Sequence, residues 1–254
     1  MPRRDEPPDP LHRPQIQVTR LQTIPPTAAP GPTLIFDCDG VLIDSEILVC
    51  RLVAEELSAL DYTISTEQVI ARFAGRPEGE MVAEIESDRG RPLPPTFFER
   101  TRARTEAAYG TELRAVAGVA DTLARLRGPA CVASSSAPAK LRRGLEATGL
   151  LAHFGENVVS AARVARGKPA PDVFLYAAGW MRAPIRDCVV IEDSVPGVTA
   201  ARAAGLRVFG FTGGSHCPPD LAARLTSAGA EAVFGAMADL ERLVPGAFAT
   251  TLAA

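Results

Sequence analysis

From Thr33 onward, short apolar runs alternate with stretches whose apolar residues recur every three or four positions. The runs lie at 33–36, 130–133, 188–191, 207–211 and 232–234, and each is of strand length. A strand that is apolar along its whole length has both faces buried, as happens when helices cover both sides of a parallel sheet. The helical period falls between these runs at 118–127, 138–148, 171–181, 195–204 and 219–228. Several of these stretches open at Ser or Asp followed by Pro, and two close at Gly149 and Gly205, which is the punctuation of helix ends. The alternation predicts an α/β protein whose core is a doubly wound, Rossmann-like parallel sheet.

The pattern breaks once, between Asp44 and about Val116, where no buried strand occurs but helices are predicted at 46–60, 66–73, 79–88 and 96–109. Some seventy residues of helix are too long for a crossover and too regular for a loop. The expected organisation is therefore an α-helical bundle cap at 45–115, inserted into a core made of 32–44 and 116–254. Residues 1–31 are rich in proline and charge without an apolar period, and they read as a disordered leader. Arg3, Arg4 and Arg13 stand among Asp5, Glu6 and Asp9, so a plain tail is favoured over a targeting peptide.

Composition narrows the class. With 46% hydrophobic and 22% charged residues, the 254-residue chain has the make-up of a globular protein with a sizeable core. A net charge of -3 argues against nucleic acid as a partner, since such binders carry a clustered basic surplus. No apolar run approaches the roughly 18 to 20 residues of a membrane span. The cysteines Cys38, Cys50, Cys131, Cys188 and Cys217 form no CxxC pair and fit reduced thiols in a cytoplasmic protein. A monomer or weak dimer is expected.

Ligands of open parallel sheets bind beyond the carboxyl ends of the strands. Here the residues directly after the apolar runs are polar: Asp37-Cys38-Asp39-Gly40, Ser134-Ser135-Ser136 and Glu192-Asp193-Ser194. Asp37 and Asp39 stand two apart in extended chain, so both carboxylates face one side and Cys38 faces the core. One carboxylate can attack while the other handles a proton. The same residues also have ordinary readings: Asp-x-Asp-Gly as a turn, Asp193 or Ser194 as a helix cap before Pro196, and Ser136 as a cap before Pro138. Lys168 sits in the proline-fixed segment Gly167-Lys168-Pro169-Ala170-Pro171-Asp172, which restricts its backbone and aims its ammonium.

Charge balance favours a metal. Asp37, Asp39, Glu192 and Asp193 together with a phosphate monoester face a single lysine, and like charges at close range cost roughly several kcal/mol. All these candidate ligands are oxygens, and His12, His153 and His216 lie outside the strand ends, so Mg2+ is expected rather than zinc.

Four segments in this order, DCDGV at 37–41, Ser134, Lys168 in GKPAPD and IEDSVPGVTAARAAG at 191–205, resemble the haloacid dehalogenase superfamily of phosphohydrolases. The inserted helices match its subgroup of beta-phosphoglucomutase and sugar-phosphate phosphatases. The resemblance implies Asp37 as a nucleophile that forms an aspartyl-phosphate, and Asp39 as the acid and then the base. It implies Ser134, Ser135 and Lys168 as phosphate ligands. It further implies Mg2+ held by Asp37, Asp193 and the Asp39 carbonyl, with support from Glu192. Phosphonate-cleaving members replace the second aspartate with a small residue, so Asp39 points to phosphate esters. The mutases carry a histidine where this chain has Val49, and their cap arginine has no plain match in the segment Gly75-Arg76-Pro77-Glu78-Gly79. A phosphatase acting on a small sugar, sugar-acid or polyol phosphate is therefore expected, with a mutase as the alternative and a non-catalytic binding protein behind both. Ser45, Glu46, Arg72, Arg76 and Glu78 are the residues expected to select the substrate.

Overall fold

The computed structural model describes residues 31–73, 76 and 78–248. The expected leader thus lies almost wholly outside the described residues. The first strand, β1 (Thr33–Phe36), is followed by four helices, α1 (Ser45–Ser58), α2 (Thr66–Phe73), α3 (Glu78–Arg89) and α4 (Phe97–Tyr109). The chain then alternates: α5 (Val119–Arg125), β2 (Ala130–Ser134), α6 (Pro138–Ala147), α7 (Leu151–Phe154), β3 (Val158–Ser160), α8 (Asp172–Trp180) and β4 (Cys188–Glu192). It ends with α9 (Val195–Ala203), β5 (Arg207–Phe211), α10 (Leu221–Ala228), β6 (Ala232–Phe234) and α11 (Leu240–Leu243).

All strand pairs are parallel, in the order β3-β2-β1-β4-β5-β6. The expected doubly wound sheet is what the chain forms. Side-chain alternation divides its core in two: Leu34, Phe36, Val132, Val189 and Ile191 pack on one face, and Ile35, Cys131, Ala133, Val190 and Val208 on the other. Cys38 is fully buried in the first of these clusters. All five thiols are free. Among the described residues, no helix is long and apolar enough to cross a membrane.

One strand escaped the sequence pattern. β3 offers only two consecutive apolar residues, Val158 and Val159, and it follows a four-residue helix that the sequence does not announce. It matters because β3 widens the sheet beside β2, and its terminal Ser160 donates a hydrogen bond to the Ser136 carbonyl at 2.7 Å.

The helices α1–α4 carry an apolar cluster of their own, in which Cys50, Val53, Leu57, Val69, Ile85 and Phe97 are buried. The chain leaves the sheet region and returns to it at one place. There the Asp44 amide donates to the Arg114 carbonyl at 2.9 Å and the Val116 amide to the Leu42 carbonyl at 3.0 Å.

Candidate active site

The order of the sheet decides what meets what. β1 lies between β2 and β4, and Phe36 is in register with Val132 on one side and Ile191 on the other. The residues that follow these strands therefore converge at the point where successive connections diverge to opposite sides of β1. Asp37 comes from the end of β1, Ser134 closes β2 and Glu192 closes β4.

Asp37, Glu192 and Asp193 are all buried, and each offers a carboxylate oxygen within 4.8 Å of the others. Lys168 Nζ lies between two of them, 2.7 Å from Asp37 Oδ1 and 2.5 Å from Glu192 Oε1, with only 6% of its side chain exposed. Glu192 also accepts hydrogen bonds from the Ser194 amide and hydroxyl, at 2.9 and 2.8 Å. Ser194 in turn caps α9 by accepting from the Gly197 amide at 3.1 Å, so the capping expectation and the carboxylate cluster coexist. Close approach is built into the backbone. A Cβ on Gly197 would stand 1.8 Å from Glu192 Oε1, and one on Gly40, whose φ is +81°, would stand 1.9 Å from Asp193 Oδ2.

Electrostatics follow from burial. Desolvation pushes the Asp37 carboxyl well above its usual range; Lys168 opposes the shift, while Glu192 and Asp193 add to it. Asp193 is raised for the same first reason, opposed by a hydrogen bond from His216. Burial would lower the Lys168 ammonium, but Asp37 and Glu192 outweigh it and hold the group protonated. Three buried carboxylates thus share one certain cation. Hard, all-oxygen and over-negative, the donor set fits a small divalent cation such as Mg2+, which Asp37, Glu192 and Asp193 would hold.

Asp39 occupies a separate position and is outside that cluster. Its carboxylate accepts from Ser45 Oγ at 2.6 Å and from Ser136 Oγ at 2.7 Å, with Lys140 Nζ at 3.7 Å. Ser136 therefore does not cap α6; the N-cap position falls on Ala137, and the serine hydroxyl is turned to Asp39. Ser134 is buried and accepts from the Ser136 amide at 3.0 Å, and the more exposed Ser135 lines the same pocket. This pocket of about 400 Å³ brings together Asp37, Asp39, Ser134, Lys168, Asp193 and Glu46, among others.

The family is identified by a match of the haloacid dehalogenase-like hydrolases to residues 32–205. The chain belongs to that family. As a haloacid dehalogenase-like hydrolase it is an enzyme of the phosphatase type expected above. It is 29% identical to the 6-phosphogluconate phosphatase of Escherichia coli (strain K12) over 195 residues, covering 76% of this chain and 88% of the relative. To fructose-1-phosphate phosphatase YqaB of Escherichia coli (strain K12) it is 34% identical over 179 residues, covering 68% and 92%. The crystal structure of a haloacid dehalogenase family hydrolase from Deinococcus radiodurans R1 superposes with a TM-score of 0.78 at 32% identity, covering 87% and 99%.

The structure places the expected residues of this hydrolase in different surroundings. His216 was set aside, yet its Nε2 lies 3.1 Å from Asp193 Oδ2, delivered by the loop after β5. That loop is tied down where the Ser215 amide donates to Asp44 Oδ1 at 3.0 Å. Arg72 does not face the site, because it pairs with Glu84 and Asp88 and donates to the Tyr62 hydroxyl. Arg76 and Glu78 line a second, larger cavity, with Arg76 paired to Glu80 and Glu84. Glu46 lines the strand-end pocket, its carboxyl raised by burial and by the Asp39 charge, and Ser45 is buried against Asp39. Sequence reasoning missed Lys140 and Tyr109. The one legible signal was that Lys140 stands one turn beyond Ser136, at the start of a helix that faces the strand ends.

Proposed function

We propose that this chain hydrolyses a small phosphate monoester of the sugar, sugar-acid or polyol class, in two steps that pass the phosphoryl group through Asp37. The observation that carries the reading is the division of labour between carboxylates. Asp37 is clamped to Lys168 within the buried cluster, whereas Asp39, two residues on, is held apart by Ser45, Ser136 and Lys140. The relatives named for 6-phosphogluconate and fructose 1-phosphate support the substrate class, and the phosphate bound in the Deinococcus radiodurans structure supports a phosphoryl site.

In the first step a carboxylate oxygen of Asp37 forms a bond to phosphorus while the ester P–O bond breaks, and Asp39 gives its proton to the departing alkoxide. In the second, Asp39 takes a proton from water, the water oxygen bonds to phosphorus, and the acyl-phosphate P–O bond breaks to restore Asp37. Lys168 and the Ser134 region neutralise and orient the phosphoryl oxygens in both steps. Mg2+, held by Asp37, Glu192 and Asp193, would supply charge neutralisation at the phosphoryl oxygens. The helices at 45–115 act as a cap over the site, excluding water from the first step.

The test is phosphate release from a panel of phosphorylated metabolites, with and without Mg2+, for the wild type and for Asp37→Asn. Magnesium-dependent release that is lost in the variant is expected. Release that persists in Asp37→Asn would remove Asp37 as nucleophile, and interconversion of hexose phosphates without net release would identify a mutase.

A further inference from the structure

Beside the catalytic pocket lies a cavity of about 740 Å³, and the two share Glu46 and Lys140. It is within the range of roughly 300–1,000 Å³ typical of small-molecule sites. Its walls are apolar: Val49 and Val53 from α1, Val69 and Phe73 from α2, Met81 from α3 and Phe98 from α4. Two hydroxyls on the wall are already committed, since Thr101 Oγ1 donates to the Phe97 carbonyl at 2.9 Å and Thr105 Oγ1 to the Thr101 carbonyl at 2.8 Å. Charged groups such as Arg76, Glu78, Arg102, Glu106 and Arg143 also line it, but all five are exposed residues.

One polar group in the cavity is buried and unsatisfied. Tyr109 is 2% exposed, and its hydroxyl, close to Lys140 and Ser45, makes no hydrogen bond of good geometry among the described residues. Its ring lies under Lys140 Nζ at 5.7 Å, so the orphan hydroxyl belongs to the place where the two cavities meet. A buried hydroxyl without a partner is rare and calls for one from a ligand.

We infer that this cavity receives the part of the substrate remote from the phosphate, and that this part is apolar and ring-sized, with the Tyr109 hydroxyl bonded to a polar atom at the junction. The inference rests on reading the neighbouring pocket as the phosphoryl-transfer site. An unsubstituted polyol extended into the cavity would turn its hydroxyls toward valine, phenylalanine and methionine side chains and leave them unpaired. An aryl or branched alkyl group there removes apolar surface from water on both partners. Within the proposed class the substrate is thus a sugar or sugar-acid phosphate that is polar near the phosphorylated carbon and carries an apolar group beyond it.

Two measurements on the full chain test this. Calorimetry with methylphosphonate and benzylphosphonate reads the cavity without requiring turnover, and at least tenfold tighter binding of benzylphosphonate is expected. Turnover of a hexose 6-phosphate against its phenyl glycoside 6-phosphate should favour the phenyl compound at least tenfold in kcat/KM. Val49→Trp and Met81→Trp, which fill the cavity from two helices, should bring that ratio close to one, and Tyr109→Phe should raise KM more than it lowers kcat. Equal affinity for the two phosphonates, or a turnover ratio indifferent to both tryptophans, overturns the inference. Preferential benzylphosphonate binding without turnover of any ester would sustain the cavity assignment while removing the phosphatase reading.

Discussion

His216 Nε2 lies 3.1 Å from Asp193 Oδ2, so a residue from the loop after β5 braces the carboxylate that follows β4. The contact raises the imidazole pKa against the effect of burial and lowers that of Asp193 against the same effect. Partners that orient a metal-binding group are worth about 10–100-fold in affinity or activity. His216→Ala is expected to raise the Mg2+ concentration for half-maximal phosphate release by roughly tenfold or more. A titration of activity against Mg2+ checks it, and an unchanged half-point would reduce the contact to packing.

Lys168 compensates two buried carboxylates at once. Lys168→Met keeps much of the side-chain volume but leaves Asp37 and Glu192 without their cation. Removing one partner of a buried ion pair costs about 3–5 kcal/mol. Urea unfolding without added metal should register a loss of that order, accompanied by loss of phosphate release. Mg2+ should restore part of the stability without restoring the activity.

Gly197 is placed against Glu192 with no room for a methyl group. Because Glu192 is itself tied by Ser194 and Lys168, it cannot swing aside freely. Gly197→Ala should destabilise the protein by about 1–3 kcal/mol through overpacking and lower kcat by displacing Glu192 from Lys168. An exposed control, Gly79→Ala, meets open space and should leave both thermal stability and activity near wild type.

Arg104 on α4 pairs with both Glu55 and Glu56 of α1. Glu56 is buried, and without Arg104 it would keep only the exposed Arg100. Arg104→Ala should therefore cost about 1–3 kcal/mol, most of it from Glu56, since the Glu55 pair is solvent-screened. The pH dependence has a definite sign. Burial alone would raise Glu55, but hydrogen bonds from Arg104 and Arg51 outweigh it and lower its pKa in the folded state. Its contribution is present above the unfolded pKa of about 4.3 and is lost as pH falls through the lower folded value. The small Glu55 share of the melting-temperature difference between wild type and Arg104→Ala should accordingly fade below about pH 4.

Much of this protein was legible along the chain because the signals were local. Apolar runs of three to five residues marked β1, β2, β4, β5 and β6, and the helical period marked the four helices after β1. Strand-end chemistry pointed to Asp37, Asp39, Ser134, Glu192 and Asp193, since the carboxyl ends of parallel strands share one edge whatever the details of packing, and the proline-fixed segment around it singled out Lys168. β3 was silent because its apolar run is only Val158 and Val159, ending at Ser160.

What only the tertiary structure decided were the partners. Ser136 satisfies a cap rule in the sequence, yet its hydroxyl goes to Asp39, 97 positions away along the chain, because the order of the sheet sets β2 beside β1. Arg72 looked available for a substrate, yet neighbouring carboxylates of α3 claim it. His216, Lys140 and Tyr109 come from three segments with no motif between them, and Lys140 shares one pocket with His216 and the other with Tyr109 only because the loop after β5, the start of α6 and the end of α4 are brought together by the fold. Sequence period reports which face of an element is buried; which polar atom it meets there depends on how the elements are ordered in space.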